Sequence, residues 1–483
     1  MKLQKSIITA AVLVALSASH SASAAEKETK KTANPINTQL MANAAGNVII
    51  LSQTSDTGAV FGNDVTLVQE GDLNGISATI NGENNTTEVV QIGSDNIAIS
   101  TSLGKSNTQI INQEGINNQL ETTVDGSENT LNLTQAGEGY LGLGNKSINT
   151  VTGNDNNITM DQGDGGHWSY NSNLNGNANT IETKQSGQWN ETYLDSVAGD
   201  DNTIEVEQDG YWNVTQVTGL QGNTNELDFV QDGDRNRITI AEVTGDENEI
   251  EIDQDGNYNE VTSNIFTGTD NEVSVNQTGD DNGATFDVIG DENNFSFTQA
   301  GMENTAYIGG LGQDNSFSVT QAGDLNEGHI VNFNGDSNDI DVIQAGDENV
   351  AVVQASADNN ALTADNNDIT VSQAGDMNDA VINMSTILDS NDNTINVAQD
   401  GDLNALDILV EGSGHSIDIA QAGDENLVIG SNGDAMLIGG ADITLNISQT
   451  GLGNVVEGSI ISASGSVSIT QVGDWNSATI IQQ

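Results

Sequence analysis

Apolar and polar residues alternate strictly along most of this chain, in short runs separated by turn residues. In Asn248-Glu249-Ile250-Glu251-Ile252-Asp253-Gln254, Asn, Ile, Ile and Gln share one face while Glu, Glu and Asp share the other. A period of two predicts a half-buried strand and is incompatible with a helix. Asp255-Gly256-Asn257-Tyr258 then reads as a tight turn, and Asn259-x-Val261-x-Ser263-x-Ile265 as a second strand. The same unit recurs around eighteen anchor glutamines, from Gln69 through Gln208, Gln231, Gln254 and Gln277 to Gln471, most of them 22 or 23 residues from the next. A fixed period of this size marks a solenoid.

Position within the unit is as regular as the period. Asn stands six residues before the anchor in fifteen of eighteen units, as at Asn202, Asn225, Asn248 and Asn271; the exceptions are His415, Ile443 and Gly465. Val, Ile, Leu or Phe occupies most places four and two residues before it, and such residues suit a pleated, half-buried surface. Gly follows the anchor by two in most units, as at Gly210, Gly233, Gly256, Gly279 and Gly473, and supplies the positive φ a tight turn requires. Asn follows by five in sixteen of eighteen, as at Asn213, Asn236, Asn259, Asn282 and Asn476. The second turn absorbs the variation in length, including the long spacings after Gln344, Gln373 and Gln421; the first is clearly lengthened only at 139–144.

A unit of strand, arc, strand, arc cannot bury its apolar face alone. Stacking units about 4.8 Å apart does so, and the expected fold is all-β: a two-sheet parallel β-solenoid, amyloid-like, with strand-arc-strand rungs of 22–23 residues over 47–483. Eighteen such rungs would span about 85 Å. Buried Asn and Gln side chains are costly unless paired, and identical positions in successive rungs let them pair with their own copies. The named Asn and Gln residues are therefore expected to be ladder and polymerisation elements, with Gln482 as a second glutamine of the last unit.

Ser466-Val467-Ser468-Ile469-Thr470-Gln471-Val472-Gly473-Asp474-Trp475-Asn476-Ser477-Ala478-Thr479-Ile480-Ile481-Gln482 resembles the curlin repeat of curli amyloid subunits, which carries Ser or Asn, two apolar residues, Gln, Gly, Asn, Ala and a second Gln at these spacings. The resemblance covers about nine tenths of the chain. It implies a structural subunit of an extracellular functional amyloid fibre, a scaffold for cell adhesion and biofilm. It also implies self-association, a nucleator subunit as partner and export through a dedicated outer-membrane channel. The second Gln is missing from most units, so the second strand's ladder is expected to be weaker than the first's. A nucleator role for this chain is an alternative within the family.

Composition sharpens this reading. There are 71 acidic residues against ten basic ones, a net charge of −61, and five of the bases precede residue 32. Phosphate neutralisation needs the opposite balance, so nucleic acid is excluded as a partner. Like charges repeated along a stack repel, so salt, divalent cations or acid should speed assembly. The absence of cysteine rules out disulfides and thiolate metal sites. The Gly-Asp turns invite the idea of calcium, but the nine-residue β-roll period is absent, so no cofactor is expected beyond diffuse divalent cations. Paired acids are everywhere, the histidines are scattered and no catalytic order stands out, so no enzyme is expected.

Residues 1–24 read as a signal peptide: Lys2 and Lys5, the apolar run Ile7–Leu16, then Ala22-Ser23-Ala24. Residues 25–46 read as a flexible leader that would address a secretion apparatus. No later apolar run is long enough to cross a bilayer as a helix. The chain stops in a strand at Ile480-Ile481-Gln482-Gln483, an edge without an irregular polar cap, from which head-to-tail addition is expected. The rival classes are a monomeric acidic β-solenoid adhesin, which would want a flat Thr-rich face, and a calcium-dependent β-roll hydrolase domain, which the period disfavours. Trp189, Trp212 and Tyr258 share one turn position and suggest aromatic stacking or a polysaccharide surface.

Overall fold

A computed structural model describes residues 37–42, 46–55, 61–137, 143–241, 243–310, 312–331, 333, 335–355 and 362–482. The signal segment 1–24, much of the leader, most of the lengthened first turn at 139–144, residues 356–361 and Gln483 lie outside them. The chain divides into two compact units, Met1–Gln231 and Asp232–Gln483. Both are built on one plan, with about 18 turns in all and two parallel sheets, one from the first strands and one from the second.

Register is maintained position by position. In the second unit Glu249–Asp255 lies beside Glu272–Thr278, with Ile250 opposite Val273, Ile252 opposite Val275 and Gln254 opposite Gln277. In the first unit Thr86–Ser94 lies beside Thr108–Ile116, with Val89 opposite Ile111 and Gln91 opposite Gln113. A one-residue slip would turn the whole apolar row outward, so burial alone enforces this register. Insertions lengthen arcs without shifting it: Gln344 still faces Gln373 across 29 residues.

The two interiors differ in chemistry. The second unit stacks phenylalanines, with Phe295 and Phe317 centroids 5.5 Å apart and Phe317 and Phe333 also 5.5 Å apart. The first unit buries hydroxyls and amides at inward places, mostly of its second strands, among them Ser100, Ser102, Gln109, Thr122, Asn149, Ser169 and Asn171. Some of these pair, as where Asn171 Nδ2 donates to Asn149 Oδ1 at 2.9 Å. Others, including the hydroxyls of Thr87, Ser102 and Ser169, find no hydrogen-bond partner.

Two expectations need correction. Residues Asn37–Ala42, assigned to the flexible leader, form a strand parallel to Asp64–Gln69. The edge of Asp64–Asp72 offers unpaired backbone groups, and those groups accept a neighbouring strand whatever its alternation. The insertion after Gln421 does not lie in the second turn. It interrupts the second strand, as Leu427–Ile429 and Met436–Ala441 flank a loop closed by Gly430 N–H donating to Asp434 O at 2.7 Å. Both halves still pair with Ala405–Ser413, Leu406 facing Val428 and Ile408 facing Met436.

Candidate functional site

The inward glutamines form an amide ladder inside each unit. Gln185 Nε2 donates to Gln208 Oε1 and Gln208 Nε2 to Gln231 Oε1, each at 2.8 Å. In the second unit Gln254 donates to Gln277 at 2.8 Å, and Gln449 to Gln471 at 3.0 Å. The second amide hydrogen points across the interior, as from Gln208 Nε2 to Glu191 O at 3.1 Å and from Gln471 Nε2 to Val455 O at 3.1 Å. Each glutamine thus ties its rung to the next and the first sheet to the second. All of these glutamines are buried.

Asparagine rows line both sheets and run the opposite way. The N–H of Asn225 donates to Asn202 Oδ1 at 3.0 Å, and that of Asn271 to Asn248 Oδ1 at 3.2 Å. On the second strands, Asn213 N–H donates to Asn190 Oδ1, Asn259 N–H to Asn236 Oδ1 and Asn282 N–H to Asn259 Oδ1, each at 3.0 Å. Asn476 N–H reaches Asn454 Oδ1 at 3.1 Å. Glutamine side chains therefore donate toward the higher-numbered rung, whereas the asparagine rows donate toward the lower; Asn Nδ2 also reaches a turn carbonyl of the higher rung, as from Asn202 to Gly222 O at 3.1 Å and from Asn271 to Gly290 O at 3.0 Å.

The second Asn row is as continuous as the first; the ladder expected to be weaker on the second strand is that of the second glutamine. Gln482 is half-buried and stands opposite Ile460, whose row continues through Ile438, Val410, Met384 and Ala355. The second-glutamine place is apolar in these rungs and contributes burial instead of an amide ladder.

Counting asparagines at fixed spacing missed three members of these rows. Beyond the lengthened first turn Asn145 takes the row position, and its N–H donates to Asn118 Oδ1 at 3.0 Å. His167 follows: its N–H donates to Asn145 Oδ1 at 3.1 Å, and its Nδ1 accepts from Asn190 N–H at 3.2 Å. His415 does the same in the second unit, between Asn393 Oδ1 at 2.9 Å and Ile443 N–H at 3.2 Å. In both, Nδ1 must be unprotonated to accept, so the ring proton sits on Nε2. His415 Nε2 lies 3.3 Å from Glu411 O. Burial holds both imidazoles below their ordinary value, against the raising pull of backbone carbonyls and of Asp164 or Asp442.

The turn glycines stack with equal closeness. Gly210, Gly233, Gly256, Gly279 and Gly473 all have positive φ, between 98° and 124°. A Cβ on Gly256 would sit 2.0 Å from Gly279 O, and one on Gly279 2.1 Å from Gly301 O. Beside them the turn aspartates accept backbone N–H groups: Asp324 N–H reaches Asp347 Oδ1 at 2.9 Å, and Asp347 N–H reaches Asp376 Oδ1 at 3.0 Å. These carboxylates act as turn acceptors. No group of three His, Asp or Glu residues among the described ones has a metal-holding arrangement. No helix among them is long and apolar enough to cross a membrane.

The model of the curlin associated repeat matches residues 176–210, 222–256, 268–301, 335–365 and 391–423. The chain is a curlin-repeat protein. The curlin repeat family is one of structural amyloid subunits, and the repeats together with the β-solenoid fit a curli-type structural subunit. Each of the five matched segments contains both an anchor glutamine and a ladder asparagine, such as Gln254 with Asn225 and Asn248, or Gln344 with Asn338 and Asn349. No curated protein matches the chain.

Proposed function

We propose that the mature protein builds an extracellular curli-like fibre by stacking rungs from successive molecules, and that this fibre supports adhesion and a biofilm matrix. The observation that carries the reading is the rung-to-rung contact itself. It consists of parallel backbone pairing, a Gln step such as Gln254 to Gln277 and an Asn step such as Asn248 to Asn271, none of which depends on the arc joining the rungs. A rung supplied by a second molecule can satisfy the same groups. A nucleator subunit, a dedicated export channel, and residues 1–24 as a cleaved signal belong to the same reading.

The test is electron microscopy and fibre diffraction of the chain lacking residues 1–24, in moderate salt. Unbranched fibres that bind an amyloid dye and diffract at about 4.8 Å along the axis are expected. A protein that stays monomeric at high concentration would sink the proposal and leave the solenoid adhesin.

A further inference from the structure

Of the four tryptophans and six tyrosines in the chain, three of each fall between Trp168 and Trp212. They do not fill the core. Trp168 and Tyr170 are 43% and 38% exposed on the outer face of the second sheet, where the same places in other rungs of this unit carry smaller side chains such as Gln119, Val214, Ile99 and Glu121. Register sets two columns side by side. Lys146, Trp168 and Glu191 form one; Tyr170 and Tyr193 are the aromatic neighbours in the other, followed by Gln216. Tyr193 donates its hydroxyl to Glu191 Oε2 at 2.9 Å, which locks the two columns together. At the adjoining turn Trp212 stacks on Tyr211 at 5.2 Å and meets Trp189 edge-on at 6.5 Å.

We infer that this face, centred on Trp168, Tyr170 and Tyr193, binds a neutral polysaccharide chain. Aromatic faces are electron-rich and attract the slightly positive C–H faces of sugar rings. Glu191, Gln216 and the Tyr193 hydroxyl stand among the rings, and an interleaving of ring faces with acceptors and donors matches a sugar's hydroxyl rim. Charge selects among polymers: a surface carrying −61 repels anionic polysaccharides and nucleic acid. A cation is not what the face lacks, since Lys146 Nζ already lies 4.9 Å from the Trp168 ring centroid. A neutral chain is the partner left.

Equilibrium dialysis of the full chain against a neutral β-1,4-linked glucan hexaose tests this. The bound fraction reads the same way on free or assembled protein, so the outcome is independent of fibre formation. Saturable binding is expected, weakened at least tenfold when Trp168, Tyr170 and Tyr193 are all replaced by Thr, a residue common on this outer face. The variant Tyr307→Thr, also on an outer face, should bind as the parent does. No saturable binding by the parent, equal binding by the triple variant, or equal binding of an anionic uronate hexamer would each overturn the assignment. Circular dichroism of the triple variant establishes that its strands are retained; if they are lost, the single Trp168→Thr variant takes its place, with at least a threefold weakening expected.

Discussion

Gln277 Nε2 donates to Gln299 Oε1 at 2.9 Å, although the two residues are 22 positions apart in sequence. The same nitrogen also reaches Glu260 O at 3.3 Å and Asn282 O at 3.1 Å. One side chain therefore serves two rungs and two sheets. Gln277→Leu would leave several buried groups without partners, each worth about 1–3 kcal/mol. After the gain from a buried Leu, a net loss of about 2 kcal/mol or more is expected, read as a lowered urea midpoint of freshly desalted protein. Asn276→Thr, one place away on the outer face, should change stability by less than about 0.5 kcal/mol.

The glycines separate in the same manner. Gly279 has φ of +112°, and a Cβ there would lie 2.1 Å from a backbone oxygen, whereas Gly283 has no atom within 4 Å of its Cβ position. Gly279→Ala should cost at least about 1–2 kcal/mol from the backbone conformation alone, with the clash added. Gly283→Ala should instead stabilise its strand by roughly 0.5–1 kcal/mol. Thermal melts of the two variants, run side by side, decide whether turn geometry or glycine content governs stability.

His167 and His415 make part of the stability depend on pH. Their folded values lie below the ordinary 6.5 because burial disfavours the imidazolium. The folded state thus binds fewer protons than the unfolded, so this contribution is intact above 6.5 and is lost as pH falls from there through the lowered folded values. Protonated Nδ1 cannot accept from Asn190 or Ile443. Replacing both histidines by Asn should flatten the pH dependence of the denaturation midpoint between about pH 7 and 5. An unchanged slope would mean that the imidazoles do not titrate with folding.

Asp379 and Asp407 act with the opposite sign. Burial raises both above the ordinary 3.8, and Asp379 and Asp434 push Asp407 further. Their ionisation opposes folding at neutral pH. That penalty is relieved as pH falls through the raised folded values, and is gone below 3.8. Asp379→Asn with Asp407→Asn should raise the midpoint at pH 7 and leave it unchanged near pH 3.

The alternation of apolar and polar residues made the strands, their register and the inward Asn and Gln positions legible, because a period of two with one buried face admits a single solution. Asn145 was hidden by a lengthened arc, since fixed spacing cannot register a residue that geometry returns to its row. His167 and His415 were hidden because their role rests on Nδ1 standing where an amide oxygen would, a matter of shape rather than residue class. Asn37–Ala42 carries no alternation and is held through its backbone pairing. The site of the Gln421 insertion was illegible because extra residues before and after Met436 look alike in sequence. The closing role of Glu411 was equally silent: its carboxylate accepts the N–H groups of Thr386, Ile387 and Leu388 at 2.7–3.2 Å and ties down the loop that follows Gln373.

The opposed directions of the two kinds of ladder have a consequence for length. In an α-helix all peptide dipoles add, and the ends accumulate charge. Here the glutamine amides donate one way and the asparagine rows the other, with Asn Nδ2 also reaching turn carbonyls of the higher rung, so the interior bonds do not all align along the axis. The interior ladders therefore build up less charge at their ends than aligned helix dipoles would. A family that lengthens its array by duplicating units meets less of this penalty from within, and the limit on size passes to the outer acids.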